Sequence, residues 1–262
     1  KLLCCQSNTS PTLSAVKPDA SLTITANGGV SAVTDNPFSS ATDGSASFDG
    51  TDDELKVSDS GTDLQFGTGD FTVEAFLYYD VAPSSSRYII DMRSSAGTSG
   101  AGALAVGYSG DDTKIEWATP GTTILSAAWA NHISTGTWTH VAVARSGSTI
   151  KMFIDGQVVS SATDSTNYIN PADITIGDRY INSNATQWFD GFISNLRIVK
   201  GRALYTSNFT VPTSSLGLVH DTVLLTCTSR TTVTDNEKYA TVRNGNVSAT
   251  TFNPFTDDIN AI

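Results

Sequence analysis

Short apolar stretches alternate along this chain with clusters of Gly, Asp and Ser, at the spacing of an antiparallel β-sandwich or jelly roll. The clearest strand is Phe71-Thr-Val-Glu-Ala-Phe-Leu-Tyr-Tyr79, where Phe71, Val73, Ala75 and Leu77 fall on one face and Thr72, Glu74, Phe76 and Tyr78 on the other. Trp138 to Arg145, a turn at Ser146-Gly147-Ser148, and Thr149 to Ile154 form a hairpin. Asp155-Gly156 is a two-residue type I′ turn signal leading into Gln157-Val158-Val159. Later strands are Ile174-Thr-Ile176, and Trp188 to Val199 around Asp190-Gly191.

The two ends carry a repeat. Asn27, Gly28, Val30, Ser31, Ala32, Asn36, Pro37 and Phe38 recur as Asn244, Gly245, Val247, Ser248, Ala249, Asn253, Pro254 and Phe255, all at an offset of 217. Upstream, Leu2, Leu3, Cys5 and Ser7 match Leu224, Leu225, Cys227 and Ser229 at an offset of 222. Self-similarity at a fixed spacing reads as one period of a head-to-tail array, with residues 1–38 an N-terminal arm repeating the C-terminal tail, 39–226 the jelly roll, and 227–262 the tail segment. Two strands that pair inside one sandwich would leave the same trace, because first and last strands are often neighbours.

Composition narrows the class. Ser and Thr supply 68 of the 262 residues and Glu only four, a balance that favours strands and turns, so the expectation is an all-β protein with almost no helix. A net charge of −11 without any Lys/Arg run argues against a nucleic-acid partner. No stretch of 18 apolar residues exists, so membrane insertion is not expected. Three cysteines (Cys4, Cys5 and Cys227) make no disulfide framework. Burial is the default for such residues, and a link between the equivalent Cys5 and Cys227 of successive units is the sharper idea.

Phe71-Thr-Val-Glu-Ala-Phe, Trp138-Thr-His-Val-Ala-Val, Met152-Phe-Ile-Asp-Gly156, Ile174-Thr-Ile-Gly177 and Phe189-Asp-Gly-Phe-Ile-Ser-Asn-Leu-Arg-Ile198 resemble, in this order, the landmarks of the laminin G, concanavalin A-like sandwich. The resemblance covers about residues 43–226. The stretch from Val199 to Thr210 and Leu224-Leu-Thr-Cys227 resemble more narrowly the versions in structural proteins of aquatic bacteriophages, which are often strung along fibres. It implies a two-sheet antiparallel jelly roll with extended terminal segments, on a virion surface or otherwise extracellular. The fold by itself implies no chemistry.

Hydrolases of this fold place two carboxylates with a Glu-x-Asp-x-x-Glu strand, and neither Glu74 nor Glu116 begins that pattern. His140 belongs to the Trp-Thr-His landmark, where a strand residue orienting a neighbour is the plainer reading, and no Gly-x-Ser-x-Gly elbow supports a nucleophile. The expectation is therefore no enzyme and no required cofactor. Some family members bind Ca²⁺ through an acidic residue just before the Trp-x-His strand, and there only Glu116 is acidic. Asp49, Asp52 and Asp53 are the first candidates for a Ca²⁺ site elsewhere, against the ordinary turn chemistry of such residues.

A glycan site needs exposed aromatic faces beside polar groups; Trp117, Trp129, Tyr108, Tyr168, Tyr180 and Trp188 lie near predicted strand ends, and Trp117, Trp129, Tyr168, Tyr180 and Trp188 are the first candidates. The polar loops Ala96–Gly102, Asp164–Asn170 and Asn182–Gln187 are where a receptor contact is expected first. The reading is a non-enzymatic structural and adhesive module of a phage fibre or extracellular filament. It joins copies of itself head-to-tail through Leu2, Leu3, Cys5, Pro37 and Phe38 on one side and Leu224, Leu225, Cys227, Pro254 and Phe255 on the other, and contacts cell-surface glycans. The alternative is a free lectin-like domain, Ca²⁺-dependent or not.

Overall fold

The computed structural model describes residues 22–27, 31–33, 43–59, 62–93, 102–169, 173–179, 187–229 and 242–243. Among the described residues two eight-stranded sheets face each other. The first runs from edge to edge as β1 (Leu22–Asn27), β16 (Val242–Arg243), β4 (Glu54–Asp59), β13 (Asp173–Ile176), β6 (Arg87–Asp91), β7 (Ala103–Val106), β8 (Lys114–Thr119) and β9 (Thr122–Ala128). The second runs β12 (Gln157–Thr163), β11 (Thr149–Ile154), β10 (Trp138–Ser146), β5 (Phe71–Tyr78), β14 (Asp190–Lys200), β3 (Ser45–Asp49) and β2 (Ser31–Val33), with β15 (Thr222–Thr226) also on β14. Among the described pairings only β1 with β16 is parallel. The one helical element among the described residues is a 3-10 turn at Trp129–Asn131. The all-β sandwich read from the sequence is the fold.

The alternation in β5 sorts its residues as its pattern predicts. Phe71, Val73, Ala75 and Leu77 enter the core between the sheets, where Leu104, Val106, Ile115 and Trp117 meet them from the first sheet. Burying one such large apolar side chain contributes about 1.5–3 kcal/mol. The opposite face of β5 is buried as well, because residues 201–217 run across it without forming a strand. Leu216 packs on Phe76, Leu204 N donates to Thr72 Oγ1 (2.8 Å), and Phe209 N donates to Gly156 O (2.9 Å). The turn meeting Phe209 has φ 45° at Asp155 and 74° at Gly156, the two positive values that a type I′ turn requires.

A bulge decides what faces that covered side. On β14, Ser194 pairs with Phe76, but Glu74 then pairs with Arg197 rather than Leu196, because Asn195 (φ 51°) is the extra residue. Without that insertion Leu196 would point outward and Arg197 into the apolar core; one residue of slip exchanges the faces of a strand.

The sheets run past both expected domain boundaries. β1 and β2 lie within residues 1–38, yet β1 pairs with β4 and β2 with β3. At the other end Cys227 is in the core, Gly44 N donates to Thr228 O (2.7 Å), and Asp43 bridges Ser229. The strands pair there because their backbone groups need partners that a detached arm would not supply.

Candidate functional site

The outer face of the first sheet has a floor of small side chains, Ala103 and Ala105 on β7, against which Tyr88 and Tyr108 pack. Between the two rings lies the Arg93 guanidinium, 5.0 Å from the centre of Tyr88 and 4.9 Å from that of Tyr108. Asp91 holds that guanidinium from below, accepting from Nε (2.7 Å) and Nη2 (2.6 Å), so the Arg93 charge is neutralised within the wall. Tyr108 is fixed at its tip, donating to Thr119 O (2.5 Å) and accepting from Gly121 N (3.2 Å). Glu116 is occupied too, accepting from Ser109 N (2.8 Å).

Tyr88, Arg93, Tyr108, Ser109 and Gly121, with Thr122, Thr123, Arg179 and Gln187, line an open cleft of about 440 Å³. That size suits a small ligand or a few sugar rings. Arg179 Nη1 donates to Gln187 Oε1 (2.9 Å), while its Nε is buried with no hydrogen-bond partner among the described residues. An unmet buried donor is costly. The neighbouring Asp178 carboxyl is pushed up to about 7 by burial; the hydrogen bond from the Arg179 amide opposes the rise, and the Glu54 and Asp91 charges add to it.

A second polar cluster sits where β3 turns into β4. Oxygens of Asp49, Asp52 and Asp53 all lie within 4.8 Å of one another. Asp49 N donates to Asp53 Oδ2 (2.8 Å), and Thr51 donates to Asp49 Oδ1 through N (2.9 Å) and Oγ1 (2.6 Å). Asp53 is 0% exposed, and its Oδ1 has no hydrogen-bond partner among the described residues. Burial raises this carboxyl to about 7; the Asp49 amide opposes the rise and the Asp49 and Asp52 charges add to it. Three carboxylates, one with a bare buried oxygen, form a donor set that a hard divalent cation fits.

A family model described as the concanavalin A-like lectin/glucanases superfamily, of the laminin G type, matches residues 49–207. The chain belongs to that superfamily. Solved structures similar to this superfamily member include the binding domain of botulinum neurotoxin serotype D, at 14% identity and TM-score 0.53 over 70% of this chain and 44% of that one. The serotype G binding domain is similar at 14% identity and TM-score 0.53, over 72% of this chain and 45% of that one. Domain 4 of AbnA, a GH43 extracellular arabinanase from Geobacillus stearothermophilus solved with arabinotriose, is similar at 18% identity and TM-score 0.48, over 71% of this chain and 88% of that one. The chain spans less than half the length of the neurotoxin chains, and at these identities the likeness shows the fold. A search of curated protein sequences returned no match. No helix among the described residues is long and apolar enough to cross a membrane.

In this superfamily member three of the aromatics expected to stack on sugars are core residues instead. Trp117 is 0%, Tyr168 2% and Trp129 9% exposed, and all three belong to the main core. Strand alternation turns Trp117 inward opposite Phe71, and Trp117 Nε1 donates to the Tyr168 hydroxyl (3.1 Å), so neither ring offers a free face. Trp188 is half-buried, and Tyr180 lies outside the described residues. Of the cleft tyrosines, Tyr108 is one of the aromatics read near strand ends, whereas Tyr88 was missed, since it sits in a short apolar stretch with no pattern to mark its face.

The assembly residues divide similarly. Leu224 and Cys227 are buried in this chain's own core, because β15 pairs with β14, and Leu225 packs with Phe76 and Leu216 on the covered outer face. Leu224 and Cys227 are closed to a neighbour, and Leu225 is only partly exposed. Leu2, Leu3, Cys5, Pro37, Phe38, Pro254 and Phe255 lie outside the described residues.

A polar network that sequence reasoning missed joins the landmarks themselves. Glu74 on β5 accepts at Oε1 from Arg197 Nε (2.9 Å) and Nη2 (2.6 Å), and at Oε2 meets His140 Nε2 (3.0 Å) and the Tyr205 hydroxyl (2.8 Å). Burial acts to raise the Glu74 carboxyl, but the His140 hydrogen bond and the Arg197 and His140 charges outweigh it and hold it below its ordinary value. His140 here orients Glu74 on the covered face, away from the cleft. The signal available in sequence was a lone Glu inside an otherwise apolar strand.

Proposed function

We propose that this domain is an extracellular, non-enzymatic module that holds a saccharide in the cleft between Tyr88, Tyr108 and Arg179. The observation that carries the reading is one open cleft lined both by Tyr108, anchored at its tip, and by Arg179, whose Nε has no hydrogen-bond partner among the described residues. An aromatic plane next to fixed polar groups is how concave sites hold sugars. The superfamily's lectin branch supports the class of ligand. The carboxylates nearest the floor, Asp91 and Glu116, are occupied by Arg93 and Ser109, which favours binding over acid–base chemistry. The repeated ends support a place in a fibre, on a virion or in another extracellular filament, with copies joined head-to-tail.

The test is binding to an immobilised panel of neutral and acidic glycans. Tyr108→Ala and Arg179→Ala are each expected to weaken retention about tenfold or more, with circular dichroism and the melting temperature of Arg179→Ala unchanged. Retention by both variants equal to that of the parent would remove the cleft from the proposal.

The Asp49, Asp52 and Asp53 loop is proposed as a Ca²⁺ site that supports the fold. Its sign follows from Asp53: a carboxyl raised in the folded state contributes stability that is fully present below its ordinary value of 3.8 and is lost as pH rises through about 7. Millimolar Ca²⁺ is therefore expected to raise the melting temperature at pH 8 and to do little at pH 5. Asp178 titrates in the same range, so Asp53→Asn isolates the effect: it should raise the melting temperature at pH 8 without Ca²⁺ and abolish the response to it. A Ca²⁺ response that survives Asp53→Asn would place the cation elsewhere.

A further inference from the structure

The outer face of the second sheet is covered only in part. Ile150 and Met152 on β11 enter the core, so Thr149, Lys151 and Phe153 alternate to the outer side. Over Phe153, with Ala142 and Ala144 of β10 beside it, lie Ala203, Tyr205 and Phe209 of the covering segment. Toward the turn between β10 and β11 that cover gives way to an open cleft of about 220 Å³, lined by Ala144, Ser146, Thr149, Lys151, Tyr205 and Thr206.

Strand pairing builds the floor of this cleft. Ala144 stands opposite Lys151 and Ser146 opposite Thr149, and Ser161 and Thr163 of β12 continue the same two rows. Cross-strand partners share a face, so the rows set hydroxyls around one ammonium group. Tyr205 is held in place at the side: it stacks on Phe209, with ring centres 3.6 Å apart and 8° between the planes, and its hydroxyl donates to Glu74 Oε2 (2.8 Å).

Lys151 Nζ donates to Thr206 O (2.7 Å), which holds the ammonium at the cleft and uses one of its three N–H groups. The carboxylates around it are engaged elsewhere. Glu74 pairs with Arg197 and Asp164 with Arg145, while Asp70 accepts from Gly147 N (2.7 Å) at the turn. Lys151 has no ion pair, and the hydroxyls of Ser146, Thr149 and Thr206 have no hydrogen bond, among the described residues.

We propose that this cleft is a second saccharide site, on the outer face opposite the Tyr88–Tyr108 cleft, and that it takes a sugar carrying an anionic group. An ammonium with two unused donors meets a carboxylate or sulfate, the ledge hydroxyls meet those of the ring, and the fixed tyrosine supplies an apolar side. The volume suits about one sugar ring. In a chain of net charge −11, a cation without a counter-charge marks the place where an anion is accepted. The site rests on its own residues; joined to the cleft proposed above, it lets one domain bridge two glycan chains.

The experiment is calorimetric titration of the full chain with trigalacturonate, with its uncharged methyl ester and with a sulfated galactose trisaccharide. At least one acidic probe is expected to bind and the ester to bind more weakly; which acidic probe binds tells carboxylate from sulfate. Lys151→Met should weaken that binding about tenfold or more, the scale of one charge-assisted hydrogen bond, and Lys151→Arg should retain it. Thr149→Val, at an exposed position, is the second variant and should cost about threefold. Tyr108→Ala should leave it unchanged. No binding of either acidic probe, equal binding of acid and ester, or parental affinity in Lys151→Met and Thr149→Val overturns the proposal. Acidic binding lost in Tyr108→Ala and kept in Lys151→Met rejects this site and leaves the Tyr88–Tyr108 cleft standing.

Discussion

Arg197→Met is expected to cost the domain about 3–5 kcal/mol, the scale for removing one partner of a buried ion pair. Glu74 is wholly buried, and after the substitution its Oε1 loses both guanidinium bonds while the carboxylate stays under the cover of residues 201–217. The same guanidinium donates through Nη1 to Gly217 O (2.6 Å), so the cover loosens as well. The pH dependence has a definite sign. A carboxyl held below its ordinary value contributes stability that is present above that value and is lost as pH falls through the depressed one. The parent should therefore lose stability on acidification below the usual Glu range, and Arg197→Met should lose less, since the carboxyl has lost a charge that kept it low. Urea melts from pH 7 to pH 3 measure both, and Glu74→Gln added to Arg197→Met should recover part of the loss. A midpoint for Arg197→Met within 1 kcal/mol of the parent, on the about 1–3 kcal/mol per molar urea scale, would show that the ion pair is not what holds this face.

Trp117→Ala is expected to cost about 3–5 kcal/mol. The indole packs 5.7 Å from Phe71 and 6.1 Å from Tyr168, and a Cβ at Gly102 would overlap it, so the site cannot collapse far without moving β7 and β8. The loss extends to polar groups: Trp117 Nε1 bonds the Tyr168 hydroxyl, which donates to Asp164 Oδ2 (2.8 Å), and Asp164 pairs with Arg145 (3.3 Å) beneath the same rings. Trp117→Phe keeps much of the packing and forfeits the hydrogen bond, so it should fall between. Chemical denaturation of both, beside Tyr108→Ala in the glycan assay, separates an aromatic that holds the fold from one that meets a ligand. Trp117→Ala with parental stability and weakened glycan retention would return Trp117 to the binding site.

What was legible in the sequence was whatever depends on near neighbours. The two faces of Phe71 to Tyr78, the hairpin closing at Ser146 to Ser148 and the type I′ turn at Asp155-Gly156 are local patterns, and each stands where it was read. β6 to β8 were passed over because both faces of Ala103-Leu-Ala-Val106 are buried and no alternation survives. Trp117 and Tyr168 were misread because an aromatic near a strand end looks the same whether its face points to the core or to water. The Glu74–Arg197 pair was out of reach for another reason: 123 residues separate the partners, and only the bulge at Asn195 puts them opposite each other. Of the candidate sites, Asp49, Asp52 and Asp53 were readable since they adjoin, whereas the cleft needs β6, the loops after β7 and β8, and residue 179 to converge.

The position of β14 bears on how the chain is made. It is the eleven-residue strand at the middle of the second sheet, with β5 along one side and β3 and β15 along the other. During synthesis from the N-terminus, β3 and β5 leave the ribosome more than a hundred residues before the strand that joins them, and the cover over Glu74 emerges later still. Until then the nascent chain carries the edges of β3 and β5 without their shared partner. Ribosome-bound chains ending near residue 185 should thus be protease-sensitive and recruit chaperones, and protection should arrive in one late step once residue 227 has cleared the exit tunnel.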